Sequence, residues 1–409
     1  MKKTISRIRA LFRFIIENKL LISTSLNLER DNYVCIFPEL MDLHSIKCTG
    51  QICENVARYH KKKTYIITYK NGDYPNFRKY CPNVKLIFLD GSREEKYRVV
   101  RILLLTIMNA KRIDILYYYY FPYTSVYYEM LGTLYKLINK RGRLHVRLEA
   151  DIQDLNSSFP FVDENSWLLS IRDLVKKIFF RKVDILGVID DDSLNLTKNI
   201  KLWDIVKNKN NIKQQLNGYI NTDELQTINM EQKSNNICVA GRLTAKQKGI
   251  DILLDALKTV NLKNWHVFLL GDASAEIENA IYKLISKNTT LEGKLHLKGH
   301  ISVEEYWDYL SKSRIFCLPS RHDGIPLVIP DAQIRGNLIV SSDLYGIKRI
   351  VLKKGELGVI FQNGNAEDLA EKLQYAIENY ENMKGVISNS VIRAKEILNW
   401  ENIVRNLEL

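Results

Sequence analysis

A chain of 409 residues, 46% apolar and 26% charged, is too long for one ordinary core and fits two domains of roughly 150–200 residues. No apolar run approaches the ~20 residues needed to cross a bilayer. Charge is lopsided: residues 1–150 hold 27 Lys and Arg against 13 Asp and Glu, while the whole chain sums to +13, so nearly all the basicity belongs to the first third. The six cysteines (Cys35, Cys48, Cys53, Cys81, Cys238 and Cys317) are scattered and form no Cys-x-x-Cys pair. That pattern reads as reduced thiols in a cytosolic protein and against zinc or disulfide roles.

The opening segment sets Ile5, Ile8, Leu11, Phe12, Ile15 and Ile16 at helical spacing, with Lys2, Lys3, Arg7, Arg9 and Arg13 between them. Charge interrupts its apolar residues and no small-residue cleavage site follows, so it is a poor signal peptide. Two readings stand. A basic amphipathic helix suits an anionic membrane surface, and the same helix could instead dock on its own domain. No nucleic-acid recognition motif accompanies the charge, so no nucleic acid is expected as a partner.

Apolar runs at 33–37, 64–68, 85–90, 113–120, 143–148 and 184–189 predict strands, and helical patterns cover 47–60, 93–109, 124–139 and 166–181. His145, Glu149 and Asp151 fall at the end of the fifth run and are candidates to touch an acceptor; a structural role for the histidine is the alternative. Asp190-Asp191-Asp192 follows the sixth run and contains an Asp-x-Asp that could hold a divalent cation. It precedes a complete second α/β domain, so a helix cap is the expectation and no metal site is assigned. The Lys- and Asn-rich stretch 207–215 reads as the linker.

Beyond the linker, strands are predicted at 236–241, 265–271, 294–299, 314–319 and 337–341. They alternate with helices at 249–260, 275–288, 302–312, 327–335 and 366–380. Ser302 with Glu305 makes a capping box, and Asn365 can cap the last of these helices. Such alternation predicts doubly wound parallel sheets. The expected domains are 1–206 and 216–385, with 386–409 crossing back to the first domain on Trp400. Ligands of such sheets bind beyond the carboxyl ends of the strands, here a cleft faced by both domains.

Two segments carry chemistry. Gly241-Arg242-Leu243 closes one predicted strand and Lys248-Gly249 opens the next helix. Glycine lets the backbone approach a bound group, Arg offers a planar fork for phosphate, and Lys adds a point charge near a helix start. The second segment runs from Pro319-Ser320 through Asp323-Gly324 to Asp331-Ala332. Its two aspartates stand eight positions apart, close to two helical turns, and ionised carboxylates suit sugar hydroxyls.

Gly241-Arg242-Leu243 with Lys248-Gly249 resembles the phosphate-binding segment of family 4 glycosyltransferases. Pro319 to Ala332 resembles their signature of two glutamates with seven residues between them. Asn217-Gly218-Tyr219-Ile220 and Gly299-His300-Ile301 are similar to two further turns of that family, and the match covers about 215–380. The resemblance implies the GT-B fold, with two Rossmann-like parallel-sheet domains facing a cleft. It also implies a retaining, metal-independent transfer of a hexose-type sugar from a nucleotide sugar to a saccharide or lipid-linked acceptor, without a cofactor. By it Arg242, Lys248 and Asp323 are the catalytic set. Gly241, His300, Gly324, Ile325, Leu327 and Asp331 bind the donor, with Asp331 on the ribose. Both family glutamates are aspartates here, which suggests altered donor choice; a catalytically silent sugar-nucleotide or partner-binding module is the alternative. The implied location is cytoplasmic, resting on the inner face of the membrane through the basic N-terminal domain.

Overall fold

The computed structural model describes residues 26–91, 98–120, 126–148, 167–189, 211–222, 225, 229–244 and 246–409. The basic opening segment, Glu149, Asp151 and the Asp190–Asp192 triplet lie outside them. The chain divides into two compact units. Met1–Gln215 with Val404–Leu409 forms the first, and Leu216–Ile403 the second.

The first unit holds a seven-stranded sheet of β1 (Asn32–Ile36), β2 (Lys63–Tyr69), β3 (Val84–Leu89), β4 (Ile115–Tyr120), β5 (Arg143–Leu148), β6 (Ile185–Val188) and β7 (Ile212–Gln214), in the order β3-β2-β1-β4-β5-β6-β7. Every pairing is parallel. Parallel strands are covered on both faces and so read as near-continuous apolar runs. One face buries Val34, Ile36, Ile67, Leu116 and Val146 with Ile102, Leu105, Leu131 and Phe179 from the crossover helices. Side chains alternate along a strand, so Tyr33, Tyr117 and His145 point to the opposite face.

The second unit holds six parallel strands: β8 (Ser234–Ala240), β9 (His266–Leu270), β10 (Leu295–Gly299), β11 (Ser313–Leu318), β12 (Leu338–Ser342) and β13 (Val359–Phe361). Their order is β10-β9-β8-β11-β12-β13. The Ser302–Glu305 capping box forms, with the Ser302 hydroxyl accepting from Glu305 N at 3.2 Å and the Glu305 carboxylate accepting from Ser302 N at 2.8 Å. Asn365 caps the helix Ala366–Glu378 by accepting from the amides of Glu367 and Asp368.

Three expectations change. Part of the stretch read as a linker is strand β7, where Ile212 pairs with Leu186 at the sheet edge; three residues are too few to leave a period. β13 is equally short and gave no signal. The returning segment begins at Val404 and not at 386, because the helix Lys384–Ile397 stays with the second unit, burying Ile387 in its core. Trp400 is likewise held there: Gly218 carries no Cβ, and one would lie 2.8 Å from the Trp400 amide nitrogen. In the first unit, the His60 ring meets the Val404 carbonyl at 2.9 Å.

Candidate functional site

Strand order decides where the motifs meet. In β10-β9-β8-β11-β12-β13 the chain leaves β8 toward one side and β11 toward the other, which makes the β8/β11 boundary the topological switch point. Gly241-Arg242 follows β8, and the loop of Asp323 follows β11. Two sequence segments some 80 residues apart therefore share one crevice at the carboxyl edge.

The backbone there is held close by glycine. Gly249 sits in the left-handed region at φ 64°, and a Cβ would overlap the Pro319 carbonyl oxygen. Gly271, at φ 135°, packs just as closely on the Gly241 carbonyl. The amides of Gly241 and Gly271 donate to Leu270 O and Gly299 O, each at 3.0 Å. These bonds join the ends of β8, β9 and β10 in one row.

Across this floor Lys248 reaches Asp323. Its ammonium donates to both carboxylate oxygens, at 2.9 and 2.8 Å, and the two side chains are 15% and 12% exposed. The Lys248 stem passes over Gly241, where a Cβ would be 3.7 Å from Lys248 Cε. Gln247 donates to the His322 carbonyl at 2.6 Å, and Arg321 binds Asp251 through both guanidinium arms at 2.6 Å. Arg321 N also donates to Gln247 O at 2.7 Å, so the two loops are tied by side chain and backbone alike.

Asp331 occupies a different environment. It lies on the helix Val328–Ile334 beneath Trp307, whose indole N–H is 3.5 Å from Oδ2, and near Arg335, 3.8 Å from Oδ1. The Arg335 guanidinium lies 4.8 Å from the centre of the Trp307 ring. Burial pushes the Asp331 carboxyl up to about 6, against the pull of Arg335, Trp307 and Tyr306.

The remaining candidates are dispersed. Arg242 is exposed and, among the described residues, makes no ion pair or hydrogen bond. Gly324 lies in the bend between Asp323 and Ile325. Ile325 is buried, and its carbonyl accepts from Asn217 Nδ2 at 2.6 Å; Leu327 opens the helix that carries Asp331. His300 stands exposed just past β10, 3.5 Å from the equally open Asp272. His145 is a correction. It is fully buried in the first unit between the Tyr33 hydroxyl at 2.7 Å and Gln215 Nε2 at 2.8 Å, so its ring offers no surface to an acceptor. Sequence reading missed Gln247, Arg321, Trp307 and Arg335. Only Arg335 left a trace, four positions after Asp331 on one helix face.

Two parallel α/β sheets in these orders define the GT-B fold. Sucrose-phosphate synthase of Thermosynechococcus elongatus superposes at a TM-score of 0.66, with 15% identity over 92% of this chain and 97% of that one. Anabaena HepE, solved in complex with UDP and glucose, superposes at 0.63 with 15% identity over 92% and 98%. Within this fold, residues 221–391 match the family model of glycosyl transferases group 1, so the second unit carries a group 1 glycosyltransferase domain. An uncharacterised glycosyltransferase of Methanocaldococcus jannaschii is 28% identical over 158 residues, 39% of this chain and 42% of its own length. The capsular polysaccharide biosynthesis glycosyltransferase CapM of Staphylococcus aureus is 27% identical over 154 residues, 37% and 38% of the two chains. The matched stretch thus spans less than half the length of either relative.

Proposed function

We propose that this protein is a glycosyltransferase that moves a hexose-type sugar from a nucleotide sugar to a saccharide or lipid-linked acceptor, in building a cell-surface polysaccharide or glycolipid. The observation that carries the reading is the Lys248–Asp323 pair at the switch point, inside the segment that matches the group 1 family. A cation for a diphosphate and a carboxylate for sugar hydroxyls stand side by side there. The likeness to CapM supports polysaccharide synthesis as the setting.

In this reading the diphosphate lies over Gly241 between Arg242 and Lys248, and Asp323 meets hydroxyls of the transferred sugar. Gly324 and the backbone of Ile325 and Leu327 line the sugar and phosphate, His300 lies toward the base, and Asp331 serves the ribose. The acceptor hydroxyl attacks the anomeric carbon on the face from which the nucleotide leaves. The bond from that carbon to the diphosphate oxygen breaks, the new carbon–oxygen bond forms on the same face, and the hydroxyl proton passes to the departing diphosphate. Configuration is retained with neither a protein nucleophile nor a cofactor, and the two cations stabilise the charge that develops. The protein works without a metal, in the cytoplasm on the inner face of the membrane; no helix among the described residues is long and apolar enough to cross a bilayer.

A second reading, a catalytically silent module that binds a sugar nucleotide, is favoured by the aspartates at both acidic positions. Purified protein incubated with UDP-, GDP- and ADP-hexoses separates the two, because release of nucleoside diphosphate with any donor marks an enzyme. The expected result is release that survives EDTA and falls on the order of 10²–10³-fold in Arg242→Ala and Lys248→Ala. A ligand-dependent rise in melting temperature without release would leave only the binding module.

A further inference from the structure

The donor site lies wholly in the second unit and uses none of the positive charge of the first 150 residues. Six of those cations line one cavity. Arg30, Lys62, Lys111, Lys140, Arg141 and Arg143 surround a space of about 740 Å³ in the first unit. They lie at the amino ends of β1, β2, β4 and β5, on the edge opposite the carboxyl ends where ligands of this fold bind.

The lining contains one acidic side chain, Asp114, and it is already engaged, accepting from Asn32 N at 3.1 Å. Lys62 is paired with Asp31. Among the described residues Arg30, Lys111, Lys140 and Arg141 have no carboxylate partner, and all four are exposed. Like charges gathered around a concavity repel one another and focus positive potential into it, and an entering anion turns that repulsion into attraction. Guanidinium forks and ammonium point charges together match an oxygen-rich anion. Ile115, Ile138, Asn139, Gly142 and Leu409 complete the wall without any aromatic ring. A nucleic acid would need such rings as stacking platforms, whereas a compact phosphorylated group would not.

We propose that this cavity is a second anion site, separate from the donor site, that takes a group with two or more phosphate charges, either a free diphosphate-type anion or the headgroup of an acidic phospholipid. The site does not depend on the catalytic reading above.

Inorganic pyrophosphate is the probe, titrated calorimetrically into full-length Lys248→Ala protein, in which the donor site is weakened. Binding is expected to persist there and to fall at least tenfold on adding Lys140→Gln and Arg141→Gln, two exposed substitutions that leave the melting temperature of the free protein unchanged or higher. Lys111→Gln, on a separate wall, should weaken binding in the same direction. Sedimentation with vesicles of phosphatidylglycerol and phosphatidylcholine, against phosphatidylcholine alone, separates the sources. Vesicle binding lost in the same variants identifies the headgroup; pyrophosphate binding without vesicle binding identifies the free anion. The proposal is overturned if pyrophosphate and vesicles both ignore these substitutions, or if neither binds. It is equally overturned if oligo-dT binds more tightly than pyrophosphate through the same residues.

Discussion

Lys248 and Asp323 meet across the β8/β11 boundary as a two-point ion pair, although 75 residues separate them in the chain. Each holds the other's charge in the crevice before a ligand arrives. Removing either one leaves a mostly buried charge without its partner, at a cost of about 1–3 kcal/mol. We expect Lys248→Ala and Asp323→Ala each to lower stability in urea titrations, and the double variant to lose less than their sum. Strict additivity would show that the pair is not coupled.

Gly249 is the hinge on which this pair depends. Its left-handed φ and its contact with the Pro319 carbonyl leave no room for a methyl group. Gly249→Ala should push the β11 loop away from Lys248, destabilise the protein by more than the ~1 kcal/mol of an ordinary glycine-to-alanine penalty in that conformation, and weaken nucleotide binding. Wild-type nucleotide affinity in a folded variant would contradict the close approach.

Asp331 makes the site pH-dependent in a defined direction. Its carboxyl titrates near 6, above its usual 3.8, so its contribution to stability is fully present below about pH 4 and is lost as pH rises to 6. Asp331→Asn should therefore gain stability relative to wild type over that window, as read by paired thermal melts. Ribose hydroxyls need the ionised acceptor, so nucleotide affinity should rise through pH 6 in wild type and stay flat in the variant. An equally steep rise in both would remove Asp331 from the ribose.

His145 works in the opposite sense. Burial pulls its ring down to about 3, aided by Arg147 and Arg143 and resisted by the hydrogen bond with Gln215. The neutral ring stabilises the first unit above its usual 6.5, and that contribution drains away as pH falls from 6.5 toward 3. His145→Gln should be less stable at pH 7, through loss of the Tyr33 contact, yet decline less between pH 6.5 and 4.5. Parallel acid-denaturation curves would sink this account.

The strands of the first unit, whose six predicted runs coincide with β1 to β6, were as legible in sequence as those of the second unit. The second unit's five long strands, its two caps and the Asp323/Asp331 spacing all follow from local period and capping chemistry, which a single segment expresses by itself. The short strands β7 and β13 escaped because three residues establish no alternation. His145 misled because a polar residue at the end of an apolar run looks like a site; its two partners come from β1 and from the residue after β7, far away in the chain.

What the amino-acid order determined alone is the α/β alternation, the excess of cations in the first third and the presence of Gly241, Lys248 and two spaced carboxylates. Only the tertiary structure decided that Lys248 pairs with Asp323, that Asp331 belongs to Trp307 and Arg335, that Trp400 rests on Gly218, and that six cations ring one cavity. The reason is physical. Periodicity reports which side of a segment is buried, whereas the neighbour across a parallel sheet is set by strand order, and that order arises from the packing of the whole unit.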